Sequence, residues 1–471
     1  MLRESGMAEE SLSQSAIPAQ QLERGLGLAG ATSVNLLTMM GAGPFISMPL
    51  LLHAMRGPQA MLGWICGALI ALCDGLVWAE FGAALPQSGG GYRYLLESFG
   101  SRGLGQLMSF LLLWQYVIVL PLLIASAAVG FAGYAIYLHP AMTRLDSSLL
   151  AVVACLGSTF LIYRRTSSIA RWSVAFAAVI LGLSLWIIGE GALHARPNQL
   201  ALPTDAFRLS RGFWLGLGSA TLYAMYDYLG YQTVGSVGAE VRDPQMTIPR
   251  SIVLAISSLG ALYLALTASI IGVIPWQLAM RSTFVLSDFA ERLHGPQVAA
   301  VVTAITMLVT FAGMTSLMLG TSRIPYAAAE RGRFFSQFAR LHPRARFPSF
   351  SVLYVGLASA LCCFFTLDVL IQAGIVLLVM IQSLPVVLGL AAWRRSRPDL
   401  HRPYRMWLYP LPVVIALCGW TFILMSSGVT YVLLGLGVLL LGVTAYLLWA
   451  RHRAEWPWPR AGIALSEQAP D

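Results

Sequence analysis

Apolar residues in this chain come in runs longer than a packed strand or an amphipathic surface helix needs. Gly25–His53, Gly57–Cys73, Gly103–Thr143, Ser251–Met280, Leu293–Ser322 and Met406–Ala450 contain no Asp, Glu, Lys or Arg. Polar positions cluster in short segments between such runs. The hydrocarbon core of a bilayer takes roughly 20 apolar helical residues, and an unpaired backbone group there costs several kcal/mol. These runs are therefore expected to be membrane-spanning helices. A β-barrel is excluded, because barrel strands alternate apolar and polar positions and these runs do not.

Twelve spans are expected, near 27–53, 58–84, 103–137, 147–163, 170–190, 212–240, 249–275, 295–325, 349–366, 369–393, 405–426 and 429–450. The last two come from cutting one charge-free run at Ser426-Ser427-Gly428, since a single helix there would be about 67 Å long at 1.5 Å per residue. Charge sets the orientation. With the N-terminus inside, only Arg56, Arg144, Arg196, Arg208, Arg211, Arg281 and Arg292 fall outside, leaving 23 of the 30 basic residues in cytoplasmic segments. Splitting the third span at Pro121 would throw Arg323–Arg346 outside, against the positive-inside rule. One long third span is the reading the arginines favour.

The expected organisation is a cytoplasmic tail (1–26), five helices (27–190), an extracellular loop (191–211), five more helices (212–393), helices 11 and 12 (394–450) and a cytoplasmic tail (451–471). The polar first 24 residues read as a disordered tail and not as a cleavable signal peptide.

Composition narrows the function. The chain is 57% hydrophobic and 11% charged, against roughly a quarter charged in soluble domains. Every basic residue is Arg; the chain has no Lys. A net charge of +9 is explained by topology, so nucleic acid is not an expected partner; the lipid bilayer is. The six cysteines lie within apolar runs without zinc or disulfide spacing and read as small core residues. All seven histidines (53, 139, 194, 294, 342, 401 and 452) fall in loops or at span ends, so an intramembrane metalloenzyme is not encoded. No catalytic constellation, cofactor or obligatory protein partner is expected, and transport becomes the default class.

Two spans are interrupted where an anchor helix would not be. The first contains Gly41-Ala42-Gly43-Pro44-Phe45, and the sixth contains Tyr226-Asp227-Tyr228-Leu229-Gly230-Tyr231. Glycines permit an unwound backbone and Pro44 lacks a donor. Non-helical backbone at membrane depth is tolerated where it lines a cavity or is buried in protein. The breaks open corresponding helices of two five-span halves, as an inverted repeat with a midplane site would have them. Isolated glycines would read as kinks or close helix contacts.

At this point the sequence resembles the amino acid–polyamine–organocation (APC) superfamily. Residues 41–45 look like its Gly-x-Gly-x-Phe in span 1. Ala79 through Tyr92 resembles its stretch from span 2 into the first cytoplasmic loop, Gly230 through Arg250 its span 6 and following loop, and Ser322 through Gly332 its end of span 8. The resemblance implies a leucine-transporter-like 5+5 inverted repeat with two added helices and alternating access at the cytoplasmic membrane. Carried over, the amides of Ala42 and Gly43, next to Gly41, would hold a substrate carboxylate at a half-helix start. Carbonyls of Tyr226–Leu229 would accept from the substrate ammonium, and Tyr228 and Tyr231 would form aromatic walls unless they face a neighbouring helix.

Asp227 departs from the family's pattern, which has a small or apolar residue there. It reads as a counter-ion for a substrate amine or a proton carrier, or as a structural partner of the freed backbone. Asp74 and Glu80 read as packing or gating groups, and Glu190 and Asp368, at span ends, as solvated. Thr315 and Ser316 in span 8 resemble the sodium-binding pair of the wider fold, with carbonyls of Leu37 and Met40 opposite; such hydroxyls also commonly bond their own helix. Sodium and proton coupling stay open. The leading expectation is an amino acid permease, with a polyamine permease or a transporter-like ligand sensor as alternatives.

Overall fold

Helix is the only regular structure that satisfies every backbone group of a long apolar run from within, and each run takes it. The computed structural model describes residues 25–41, 43–85, 90–100, 103–164, 169–342, 347–400, 402–453 and 455–458. Its principal helices are α1 (Leu28–Met39), α2 (Gly43–Met55), α3 (Met61–Ala84), α4 (Gly90–Phe99), α5 (Leu104–Leu138), α6 (Arg144–Arg164), α7 (Ile169–His194) and α8 (Arg211–Tyr228). They continue as α9 (Pro244–Val273), α10 (Val285–His294), α11 (Pro296–Thr321), α12 (Ser349–Cys362), α13 (Leu367–Leu378), α14 (Leu384–Ser396), α15 (Leu411–Ser426) and α16 (Val429–Arg453). A π-helical turn, Val379–Ser383, joins α13 to α14.

Among the described residues, eight helices are long and apolar enough to cross a membrane, and α1 with α2 form a further candidate bent by 57° at its break. Two shorter apolar helices are α12 and α15. The third expected span is one helix of 35 residues with Pro121 inside it.

The buried apolar residues form two main clusters, to both of which α5 and α11 contribute. α1, α2, α3, α8 and α9 share one large core, and α5, α6, α11 and α12 share another. Helices at matching places in the two expected halves lie side by side: α2 on α8, α3 on α9, α5 on α11 and α6 on α12. The periphery presents Val153, Phe160, Leu361 and Leu440 outward, each more than half exposed. Such a surface suits lipid.

Several expected boundaries move. The sixth span is helical through Tyr228 and breaks after it, with a single turn at Thr233–Ser236 beyond. Its three residues Tyr226, Asp227 and Tyr228 are thus on the helix rather than in the gap. α9 starts at Pro244, earlier than expected, because proline at the first turn lacks only a donor that the helix start does not use. The loop helices α4 and α10 were not expected. They are short and charged, yet bury Tyr94 and Leu95, and Val285 and Phe289. Leu26, placed in the free tail, instead forms a parallel bridge with Val241: its N–H donates to Glu240 O at 3.0 Å and its carbonyl accepts from Arg242 N at 2.8 Å.

Candidate functional site

The two broken spans meet at Gly43 and Asp227. α1 ends when Met40 adopts an extended backbone, and α2 restarts at Gly43, where Pro44 forfeits no helix bond because first-turn donors are unpaired anyway. On the facing span, Leu229 leaves the helix and Gly230 takes φ +119°, a conformation side chains disfavour. A Cβ at Gly230 would come within 2.8 Å of Thr38 Cγ2. Glycine there lets the second break close onto the first.

Asp227 occupies the last turn of α8 and is 3% exposed. Its Oδ2 accepts from Ser47 Oγ. Its Oδ1 has no hydrogen-bond partner. A Cβ added to Gly43 would collide with that same Oδ1. Ser47 stands four residues after Gly43, on the same helix face, so the two flank one carboxylate at the start of α2. Ala42 lies outside the described residues.

Other polar groups close the breaks. The Tyr263 hydroxyl of α9 lies 3.3 Å from both Met39 O and Asp227 O, so it can donate to the end of either half-helix. The Asp227 carbonyl, expected to face a substrate ammonium, thus has Tyr263 within donor reach. Asn35 Oδ1 accepts from Val234 N at 3.0 Å, tying α1 to the turn beyond the second break. Tyr226 Oη pairs with Ser126 Oγ of α5 at 2.9 Å, and its ring would lie 3.5 Å from a Gly43 Cβ. Tyr226 therefore walls the site beside Gly43.

The structure turns Tyr228 and Tyr231 toward α3. Tyr228 Oη donates to Trp64 O at 3.2 Å, and its ring packs with those of Trp64 and Tyr263. Tyr231 Oη donates to Asp74 Oδ2 at 2.6 Å while Trp420 Nε1 donates to Asp74 Oδ1 at 3.1 Å. Asp74, with both oxygens met, is an anchor between α3, the second break and α15. Sequence reasoning missed Ser47, Ser126, Asn35 and Tyr263. Ser47 could have been found as the residue one turn beyond Gly43; the others lie in apolar helices without a local signal.

In the proposed ion pair, Thr315 donates to Phe311 O of its own helix at 2.8 Å and pairs with Ser158 of α6 at 2.7 Å. Ser316 is half-buried beside it on α11, and Leu37 and Met40 border the first break. Among the described residues no group of three or more His, Cys, Asp or Glu is arranged to hold a metal.

The two ends of the helices that carry the breaks differ. At one, a cavity of about 580 Å³ is lined by Leu50, His53, Ser219, Tyr223, Arg281 and Asp368 among others. Asp368 is not simply solvated: it accepts from Tyr223 Oη and from Gln372 Nε2, the latter at 2.6 Å. Glu190 likewise sits 3.2 Å from His194 and 3.3 Å from His294. Tyr223 is one turn before Asp227, and Leu50 three residues after Ser47, so the cavity floor lies about one turn above the carboxylate. At the other end, Arg394 grips the fully buried Glu80 with two bonds, of 2.7 and 2.5 Å, and Met406 N adds a third at 2.9 Å. Glu80 follows Met61, at the cavity end of α3, by about 28 Å of helix.

The fold is that of a multi-pass α-helical membrane protein. A profile described as amino acid permease matches residues 26–449, and the chain belongs to that family. It is 28% identical over 456 residues to the Asc-type amino acid transporter 1 of Mus musculus, covering 90% of this chain and 82% of that one. It is 24% identical to the branched-chain amino acid permease BcaP of Bacillus subtilis, covering 93% and 95%. An uncharacterised transporter of Mycobacterium tuberculosis is 30% identical, covering 90% and 91%.

Proposed function

We propose that this chain is a secondary active transporter that carries a small ammonium-bearing solute, an amino acid or an amine, across the cytoplasmic membrane by alternating access. The observation that carries the reading is the buried Asp227 carboxylate, held between the two helix breaks with one oxygen unpartnered. A charge in a bilayer-depth interior needs a partner, and a solute ammonium supplies one.

The pairing of α2, α3, α5 and α6 with α8, α9, α11 and α12 is what two inverted five-helix halves would produce. That pattern and the distribution of the arginines support a reading of twelve spans with the N-terminus inside. Glu80–Arg394 and the Leu26–Val241 bridge act as the cytoplasmic seal, while the cavity above Asp227 is the extracellular entrance. The relatives' names favour amino acids or amines related to them.

The test is reconstitution in proteoliposomes. Concentrative uptake of a labelled amine or amino acid under an imposed pH gradient supports a transporter. Saturable binding without accumulation would make the chain a sensor instead.

A further inference from the structure

The start of α2 is the natural place for an anion at this break. Free amide donors and the positive end of the helix dipole both point there. The space beside Gly43 at that helix start is already filled by the chain itself. Asp227 Oδ1 lies so close to Gly43 that a single methyl group could not be inserted, and Ser47 fixes the other oxygen. Asp227 sits at the C-terminal end of its own helix, where a carboxylate is disfavoured, and reaches across to the flank of the first turn of α2, where Ser47 donates to Oδ2 and Oδ1 is left unpartnered beside Gly43.

The surroundings are anionic-seeking in nothing else. The titratable groups facing Asp227 are Tyr226 and Tyr228 of its own helix and Tyr263 of α9. From α2 it meets Ser47. Among the described residues no Arg or His forms an ion pair with it, and the chain has no Lys. With Asp227 ionised by an arriving ammonium, a substrate α-carboxylate, bonded to the carbon next to that amine, would stand beside a second carboxylate, one ammonium shared between two anions. Like charges at that spacing in a low dielectric repel strongly. The aromatic rings of Tyr226, Tyr228 and Tyr263 suit an alkylammonium instead.

We propose that Asp227 fills the position a substrate carboxylate would need, so that the solute carried is a primary amine without a carboxylate, taken up in exchange for the proton that neutralises Asp227 in the empty site. The inference rests on the reading of this chain as a permease with its site between the two breaks. The proton balance follows. An empty buried carboxylate is held as the acid; when an ammonium arrives, that proton leaves to the side open to water, and the site stays neutral in both forms. One charge enters for each proton released.

Matched pairs that differ by a carboxylate test this: putrescine with ornithine, agmatine with arginine, tyramine with tyrosine. Binding to the purified full-length protein is read by calorimetry and thermal shift, and uptake by proteoliposomes loaded at acid pH. At least one amine is expected to bind ten-fold or more tightly than its parent amino acid, to release about one proton, and to be taken up when the interior is acid. Asp227→Asn should weaken that amine's binding at least ten-fold and abolish proton release, with the melting profile retained. Asp227→Gly, which clears the space beside Gly43, should gain binding of the parent amino acid. Parent amino acids binding the native protein as tightly as the amines, or tighter, would overturn the proposal while leaving the permease reading intact. Absence of binding and uptake for all six compounds would overturn the proposal.

Discussion

Ser47 donates its hydroxyl to Asp227, joining the second half of one broken span to the last turn of the other across 180 positions of sequence. Among the described residues neither has another side-chain partner, and Asp227 Oδ1 is unmatched. The bond therefore holds the carboxylate in place when no solute is present, and it links the two elements whose relative movement would open the site.

Ser47→Ala should destabilise the ligand-free protein by about 1–3 kcal/mol, the usual cost of removing the partner of a buried polar group. A lower melting temperature without ligand, narrowed by a saturating solute that supplies its own donors, is the expected result. Ser47→Thr, which keeps the hydroxyl, should lie close to the native protein. An unchanged melting temperature in Ser47→Ala would remove this bond from the account.

Gly43→Ala should abolish transport without unfolding the chain, because α2 accepts alanine at its start while Asp227 cannot keep its position. The two sites touch, so their effects should not add. Uptake of the amine lost in Gly43→Ala, together with binding of a zwitterionic amino acid gained in Asp227→Gly and reduced again when Gly43→Ala is added, would show that the methyl and the carboxylate compete for one space. Normal uptake by Gly43→Ala alone would place the site elsewhere.

Much of this arrangement was legible in the chain. The charge-free runs gave the helices, because burial in lipid leaves no other backbone solution, and Gly41, Gly43 and Gly230 marked the breaks through their conformational freedom. Asp227 stood out as a charge where a charge is costly. The partners of these residues were not legible. Whether Tyr231 faces a solute or Asp74 depends on the rotation of a short segment after the break, and no local pattern records rotation in a helix that is apolar on every side. Tyr263 and Ser126 lie in such helices. The same symmetry of composition hid Tyr228, whose neighbours Trp64 and Tyr263 come from α3 and α9. Glu80 was visible as a packing or gating group, but Arg394, 314 positions away, was one arginine among many at the ends of the apolar runs.

That pair makes a prediction of its own. Glu80 is completely buried, and Arg394 is 15% exposed at its side chain. Removing one member strands the other charge, at a cost of about 3–5 kcal/mol for a buried pair. Glu80→Gln should therefore loosen the cytoplasmic seal, raising the reactivity of a cysteine introduced at Gly235 toward a reagent applied from the inside. Glu80→Gln with Arg394→Gln should be less damaging than either single change. If the single change leaves labelling and melting temperature unaltered, the pair is not part of the seal.

The coupling ion can be separated from these effects at Thr315. A hydroxyl that ligates sodium must turn a lone pair toward the ion, as hard cations require oxygen acceptors. The Thr315 hydroxyl already donates to Phe311 O at 2.8 Å and meets Ser158 Oγ at 2.7 Å. Its hydrogen is committed along its own helix and its remaining contact joins α11 to α6, which is the pattern of a residue that holds two helices together. Asp227, by contrast, is a buried carboxylate with an unpartnered oxygen and can exchange a proton for a cation. Uptake should therefore proceed in sodium-free buffer within two-fold of its rate in sodium, driven by an acid interior, and collapse when that gradient is dissipated. Thr315→Val should lower stability by about 1 kcal/mol, the net worth of one such hydrogen bond, and leave the ion requirement as it was. Uptake that needs sodium, and loses that need in Thr315→Val with Ser316→Ala, would instead make the Thr315 hydroxyl an ion ligand that exchanges its Ser158 contact for the cation.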